Sequence, residues 1–83
     1  MLKQQQNIVW RNVDDETLIL NTANGYYFSL NQSGSEIWNW LVDGASVDET
    51  AQHLADRYGL SAETARGDVC DLLQTLKDEK ITD

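Results

Sequence analysis

Between Asn24 and Leu41 the hydrophobic pattern changes period, and no other feature constrains the fold as strongly. Before the change come three short runs rich in β-branched and aromatic residues: "NIVWRNV" from Asn7, "TLILN" from Thr17 and "YYFSL" from Tyr26. Such runs read as strands. An acidic "DDE" turn separates the first two. "TANG" separates the second from the third, and Asn24–Gly25 is a strong hairpin signal because both residue types tolerate positive φ. The result is an antiparallel meander. After the change the apolar residues recur at three and four. Ser33 and Glu36 read as a capping box opening a helix with Ile37, Trp38 and Leu41, which Asp43–Gly44 ends. A second box, Ser46 with Glu49, opens a helix bearing Val47, Ala51, Leu54, Ala55 and Tyr58 on one face, and Gly59 ends it as a left-handed cap. Ser61 caps a third helix striped by Ala65, Val69, Leu72, Leu73 and Leu76, and Ile81 in "KITD" folds back on the core. Strands followed by helices imply an α+β fold with the helices on one face of the sheet. The tight "YGLS" connection between the last two helices makes it winged helix-turn-helix-like: a three-stranded antiparallel sheet followed by three helices.

Length and composition narrow the function. At 83 residues there is room for one core, so residues 7–83 form a single domain and the polar residues 1–6 are expected to be a flexible N-terminus. The start of the chain has no apolar segment with a cleavage pattern, so it is read as unprocessed. No stretch is apolar enough to span a membrane. One cysteine, Cys70, and one histidine, His53, cannot build a Cys/His metal cluster, and no metal or cofactor is expected. A lone cysteine fits a reducing cytoplasm. Fourteen acidic residues against six basic ones give a net charge of −8. Solubility is the first reading of that charge, and attraction to a basic partner segment is the second. Nucleic acid is not an expected partner, because Lys3, Arg11, Arg57, Arg66, Lys77 and Lys80 are scattered rather than gathered in a patch.

The third strand of a meander is an edge, and "YYFSL" carries no charge, proline or bulge signal to protect it. Such an edge is an aggregation hazard or a docking site for another strand. Phe28 and Leu30 share a parity and are assigned to the core, with Tyr27 and Ser29 opposite. Tyr26 sits beside the turn, at the mouth of any groove. Tyr27 reads equally as an exposed aromatic or a ligand contact. Trp38 is read as core and Trp40 as amphipathic packing in preference to a partner contact. On the third helix Arg66, Val69, Cys70, Leu73 and Lys77 share a flank. Pattern alone leaves that flank balanced between ordinary packing and one wall of a groove. Gly67 marks either a close approach or a tolerated residue. Cys70 with His53 makes no convincing catalytic pair, since nothing orients them. Asp14, Asp15 and Glu16 lack the spacing and glycine of a calcium loop. A winged-helix DNA-binding regulator is the alternative, but Arg66 among Glu63, Asp68 and Asp71 is a poor reader of bases.

From "ANGYYFSLNQSGSEIW" through "DG" at Asp43–Gly44 and "DV" at Asp68–Val69 to the leucine-rich third helix, the chain resembles the PqqD family. These are peptide-recognition domains of ribosomal peptide natural-product pathways, the RiPP recognition elements. The resemblance covers about residues 8 to 82. It departs from the family pattern after the third helix, where "DEKITD" replaces a glycine followed by leucines. The resemblance implies a non-enzymatic, peptide-binding protein that captures the leader of a precursor peptide. It would present that leader to a maturation enzyme such as a radical SAM protein, a cyclase or a leader peptidase. It also tips the third-helix flank toward the groove reading. The implied peptide-binding residues are then Tyr26, Tyr27, Phe28, Ser29 and Leu30 on the strand and Arg66, Val69, Cys70, Leu73 and Lys77 on the helix.

Overall fold

The structure is a computed structural model that describes residues 7–79 and Ile81, so the N-terminus expected to be flexible, residues 1–6, lies outside the described residues. The elements run β1 (Ile8–Val13), β2 (Glu16–Asn21), β3 (Tyr27–Leu30), α1 (Gln32–Val42), α2 (Val47–Tyr58) and α3 (Ala62–Asp78). The strands form one antiparallel sheet in the order β1-β2-β3, with Val9 opposite Leu20 and Leu20 opposite Tyr27. The α+β meander followed by three helices is therefore as the change of period implies.

The two hairpins exchange the roles that the sequence suggests for them. The tight one is the acidic turn, where Val13 pairs directly with Glu16 and Asp14 takes φ +57°. Aspartate tolerates that left-handed conformation better than most residues. Asn24–Gly25 does not make a two-residue turn. The loop runs from Thr22 to Gly25 and is closed by Gly25 N–H to the Asn21 carbonyl and Asn21 N–H to the Tyr26 carbonyl, both at 2.9 Å. Only Gly25 has positive φ there; Asn24 accepts the Tyr26 N–H with its side chain.

The expected capping box of Ser33 and Glu36 is not formed. Helix α1 starts earlier, capped by Asn31, whose Oδ1 accepts the Gly34 N–H at 2.9 Å. Asparagine caps as well as serine does. The early start also lets β3 pass straight into the helix and turns Gly34 onto Leu30, where a Cβ would stand 3.4 Å from the leucine's own. Freed from the cap, Glu36 binds Arg57 of α2 at 3.2 Å. The second box forms as expected. Ser46 N–H donates to Glu49 Oε1 at 2.9 Å and Glu49 N–H to Ser46 Oγ at 3.1 Å. Gly59 is left-handed at φ +67°, and Ser61 caps α3.

Helix α1 carries two faces of core. Trp38, fully buried, packs with Ile19, Leu30, Leu76 and Ile81 under the sheet, its ring edge-on to Trp10 at 5.7 Å. Ile37 and Leu41 join Ala51, Leu54, Ala55, Ala65 and Val69 between the helices. Buried Ile81 confirms the folded-back tail. Tyr58 departs from the expected apolar face of α2 and is 40% exposed. A polar chain fastens the first hairpin to α1: Thr17 and Ser35 bond hydroxyl to hydroxyl, Thr17 donates to Asn12 at 2.7 Å, and Asn12 reaches Asn39 at 3.1 Å. Leaving a buried hydroxyl unpaired is costly, so this chain helps set where the sheet sits on the helix. The sheet's other face leaves Val9, Leu18, Leu20 and Tyr27 exposed.

Candidate functional site: an open strand beside a helix

Strand β3 has β2 on one side and no strand on the other among the described residues. Which of its backbone groups are free follows from the ladder. Asn21 N–H bonds the Tyr26 carbonyl across β2 and β3, and Thr22 N–H bonds the Asn7 carbonyl toward β1. Bonded and non-bonded pairs alternate in an antiparallel ladder. With Ile19 opposite Phe28 and Thr17 opposite Leu30, Phe28 and Leu30 turn their N–H and C=O groups toward β2. Tyr27 and Ser29 turn theirs outward. The edge therefore offers two donors and two acceptors at the spacing another strand needs.

Two cavities lie near the two ends of this strand, each lined in part by α3 or the residue that follows it. At the start of β3, a small cavity of about 60 Å³ is lined by Tyr26, Tyr27, Phe28, Glu79 and Ile81. Beyond its end, a cavity of about 530 Å³ lies between the start of α1 and α3. Asn31, Ser33 and Gly34 form one wall of that cavity, and Asp68, Asp71, Leu72 and Thr75 form the other. Ile37 and Leu54 lie beneath, with Leu60 and Tyr58 at the far end. Partial desolvation, and then the neighbouring Glu36, push the Tyr58 pKa up, so its phenol remains a neutral donor.

The residues expected to form the helix wall, Arg66, Val69, Cys70, Leu73 and Lys77, line neither of these cavities. The α3 stripe of Ala65, Val69 and Leu76 is fully buried. Arg66, Cys70, Leu73 and Lys77 flank that stripe on the side opposite Asp68, Asp71 and Thr75, which line the larger cavity. Arg66 pairs with Asp48 at the start of α2, and Leu73 packs into the interhelical core along with Trp40 and Val47. Cys70 and Lys77 are exposed there. Val69 and Leu30 are buried and can only support a groove from within, while Phe28 is half-buried. Among the described large hydrophobic residues Tyr26 and Tyr27 are the most exposed, at 76% and 74%. The cavities are lined instead by Asp68, Asp71, Leu72, Thr75 and Glu79, none of which was among the expected site residues. Their spacing of three, one, three and four was a readable flank, but nothing in it says which flank of α3 lines a cavity.

The other candidates settle into packing roles. Trp40 is half-buried with His53 stacked on it at 5.1 Å. A Cβ on Gly67 would meet nothing of this chain within 4 Å. Among the described residues no group of three or more His, Cys, Asp or Glu side chains is placed to hold a metal ion, and no helix is long and apolar enough to cross a membrane.

A family model described as coenzyme PQQ synthesis protein D (PqqD) matches residues 16–81. Two solved structures share the fold closely. One is TbiB1 in complex with the TbiA(beta) leader peptide, with TM-score 0.92 and 28% identity over 98% of this chain and 94% of that one. The other is a lasso peptide synthetase B1 complexed with the leader peptide, with TM-score 0.92 and 26% identity over 98% and 95%. No curated protein matches the sequence.

Proposed function

Because the chain belongs to the PqqD family, we propose that it binds the leader segment of a ribosomally made precursor peptide and presents it to a maturation enzyme, without catalysing a step itself. The observation that carries this reading is the free edge of β3, whose Tyr27 and Ser29 groups turn outward just before a cavity with an apolar floor between α1 and α3. A leader docking there would extend the sheet as a strand antiparallel to β3. Main-chain pairing would supply affinity, and the cavities at either end of the strand would select side chains. The solved relatives with leader peptides bound support the choice of guest. The receiving enzyme would be of the radical SAM, cyclase or peptidase kind, in the cytoplasm. Duplex DNA is a poor alternative guest. The exposed side of α3 would bring Asp68, Asp71 and Asp78 to the phosphates, and Arg66 is already held by Asp48.

The test is a titration of isotope-labelled protein with the leader of the precursor encoded beside it, followed through backbone amide shifts. Tyr27 and Ser29 amides should move most, together with residues on the Asp68–Thr75 flank. Shifts centred on α2 with β3 silent would rule out the geometry. A sequence-specific DNA complex at nanomolar protein would rule out the function.

A further inference from the structure

The groove is one-sided in charge. Asp68 and Asp71 rim the larger cavity, and Glu79 rims the smaller one. Neither cavity is lined by a described cation. Arg57 is engaged by Glu36 and Arg66 by Asp48. Arg11 lies on the outer face of the sheet, His53 on Trp40, and Lys77 on the far flank of α3. Beneath the acidic rim the larger cavity is apolar, floored by buried Ile37 and Leu54 and walled by half-buried Leu60 and Leu72.

An apolar floor under two carboxylates matches one kind of side chain, a long aliphatic stem with a cationic tip. A purely apolar occupant would strip water from Asp68 and Asp71 without offering them a partner. An acidic occupant would be repelled. The opposite wall is the start of α1, the positive end of that helix, so a cation is steered to the α3 side.

We propose that the guest strand carries a lysine or arginine just beyond the segment paired with β3, its stem filling the cavity between α1 and α3 and its charge held by Asp68 and Asp71. The inference rests on the leader-binding reading and adds to it the chemistry of the anchoring residue.

The experiment selects a displayed library of random linear peptides on the wild-type protein and confirms groove binding by the amide shifts of Tyr27 and Ser29. Selected peptides should share a lysine or arginine at one fixed offset from their apolar residues. Asp68→Asn with Asp71→Asn should weaken such a peptide by roughly 2- to 30-fold, the range for two partly exposed ion pairs. Replacing the peptide's basic residue by norleucine should cost about the same, and combining both changes should add little. Asp14→Asn with Asp15→Asn removes the same charge at the far hairpin turn and should leave the Kd unchanged. Groove-binding peptides with no basic preference would overturn this inference while leaving leader binding intact. So would a preference indifferent to Asp68 and Asp71. A library yielding nothing that shifts the β3 amides would overturn both.

Discussion

Replacing Ser29 by proline separates binding from folding, because the ladder places its N–H on the outer edge. In β3 the groups paired with β2 belong to Phe28 and Leu30, so Ser29→Pro deletes no hydrogen bond within the protein. Proline is tolerated on an edge when its missing donor faces solvent. The stability cost should therefore stay near the roughly 0.5 kcal/mol typical of surface changes. For a docked strand the cost is larger. A guest paired with Tyr27 and Ser29 can form up to four main-chain bonds, each worth about 0.5–1.5 kcal/mol net. Proline removes one donor, and its ring fills the space of the guest carbonyl, so one or two bonds are lost. That is about 0.5–3 kcal/mol, or roughly 2- to 150-fold in Kd. Fluorescence anisotropy with a labelled leader gives the affinity, and a thermal melt of each variant gives the stability. Ser29→Ala keeps the N–H and should bind nearly as wild type. Phe28→Pro removes a donor facing β2 and should melt the hairpin. Wild-type affinity in Ser29→Pro would refute edge pairing. A melt as damaged as that of Phe28→Pro would refute the assignment of which groups face outward.

Three further changes test how the fold is held. Thr50 is fully buried with no partner for its hydroxyl, so Thr50→Val should stabilise by about 1 kcal/mol. A rise of roughly 4–8 °C in Tm is expected; an unchanged or lower Tm would show that the hydroxyl is satisfied. Gly67→Ala adds a Cβ into open space in a helix interior and should gain about 1 kcal/mol, read as a higher urea midpoint at unchanged slope. Backbone and side-chain hydrogen bonds from Ser46 hold the Glu49 carboxyl below its ordinary 4.5. A depressed carboxylate contributes stability above its unfolded pKa and loses it as pH falls through the folded one. Glu49→Gln should therefore melt lower than wild type near neutral pH, with the gap closing below pH 4.5; a gap constant through that range would count against the capping charge.

Most of the fold could be read from local chemistry. Period, Ser46 with Glu49, Gly59 and Ser61 each act within one turn of chain, so their meaning does not depend on tertiary context. The misreadings occurred where two local solutions competed. Asn31 and Ser33 can each cap a helix, and the choice fell to Asn31 because starting there seats Gly34 and Ser35 on the buried face beside Leu30 and Thr17. Asn24–Gly25 and Asp14–Asp15 can each form a tight turn. The lengths of strand that pair on either side decided between them, a matter of register that dipeptide signals do not carry.

The site was half legible for a related reason. An unprotected edge is a property of one strand and shows in "YYFSL" itself. The partner wall is a property of how a helix is rotated and placed against that strand. Around α3 the core stripe of Ala65, Val69 and Leu76 has a basic and thiol-bearing flank on one side and an acidic flank on the other. Helical periodicity treats the two as mirror choices. The choice is made by the turn at Gly59, which lays α3 against α2, and by Asp48 and the cluster of Trp40 and Val47, which take up Arg66 and Leu73. With that flank consumed by packing, Asp68, Asp71, Leu72 and Thr75 are left to line the cavity opposite the start of α1. Which flank of α3 lines this cavity is thus set by contacts made on the opposite flank. Charge reversal at Asp48 should accordingly loosen α3 on α2, read as a lower Tm; an unchanged Tm would show that the apolar cluster of Trp40, Val47 and Leu73 sets the helix alone.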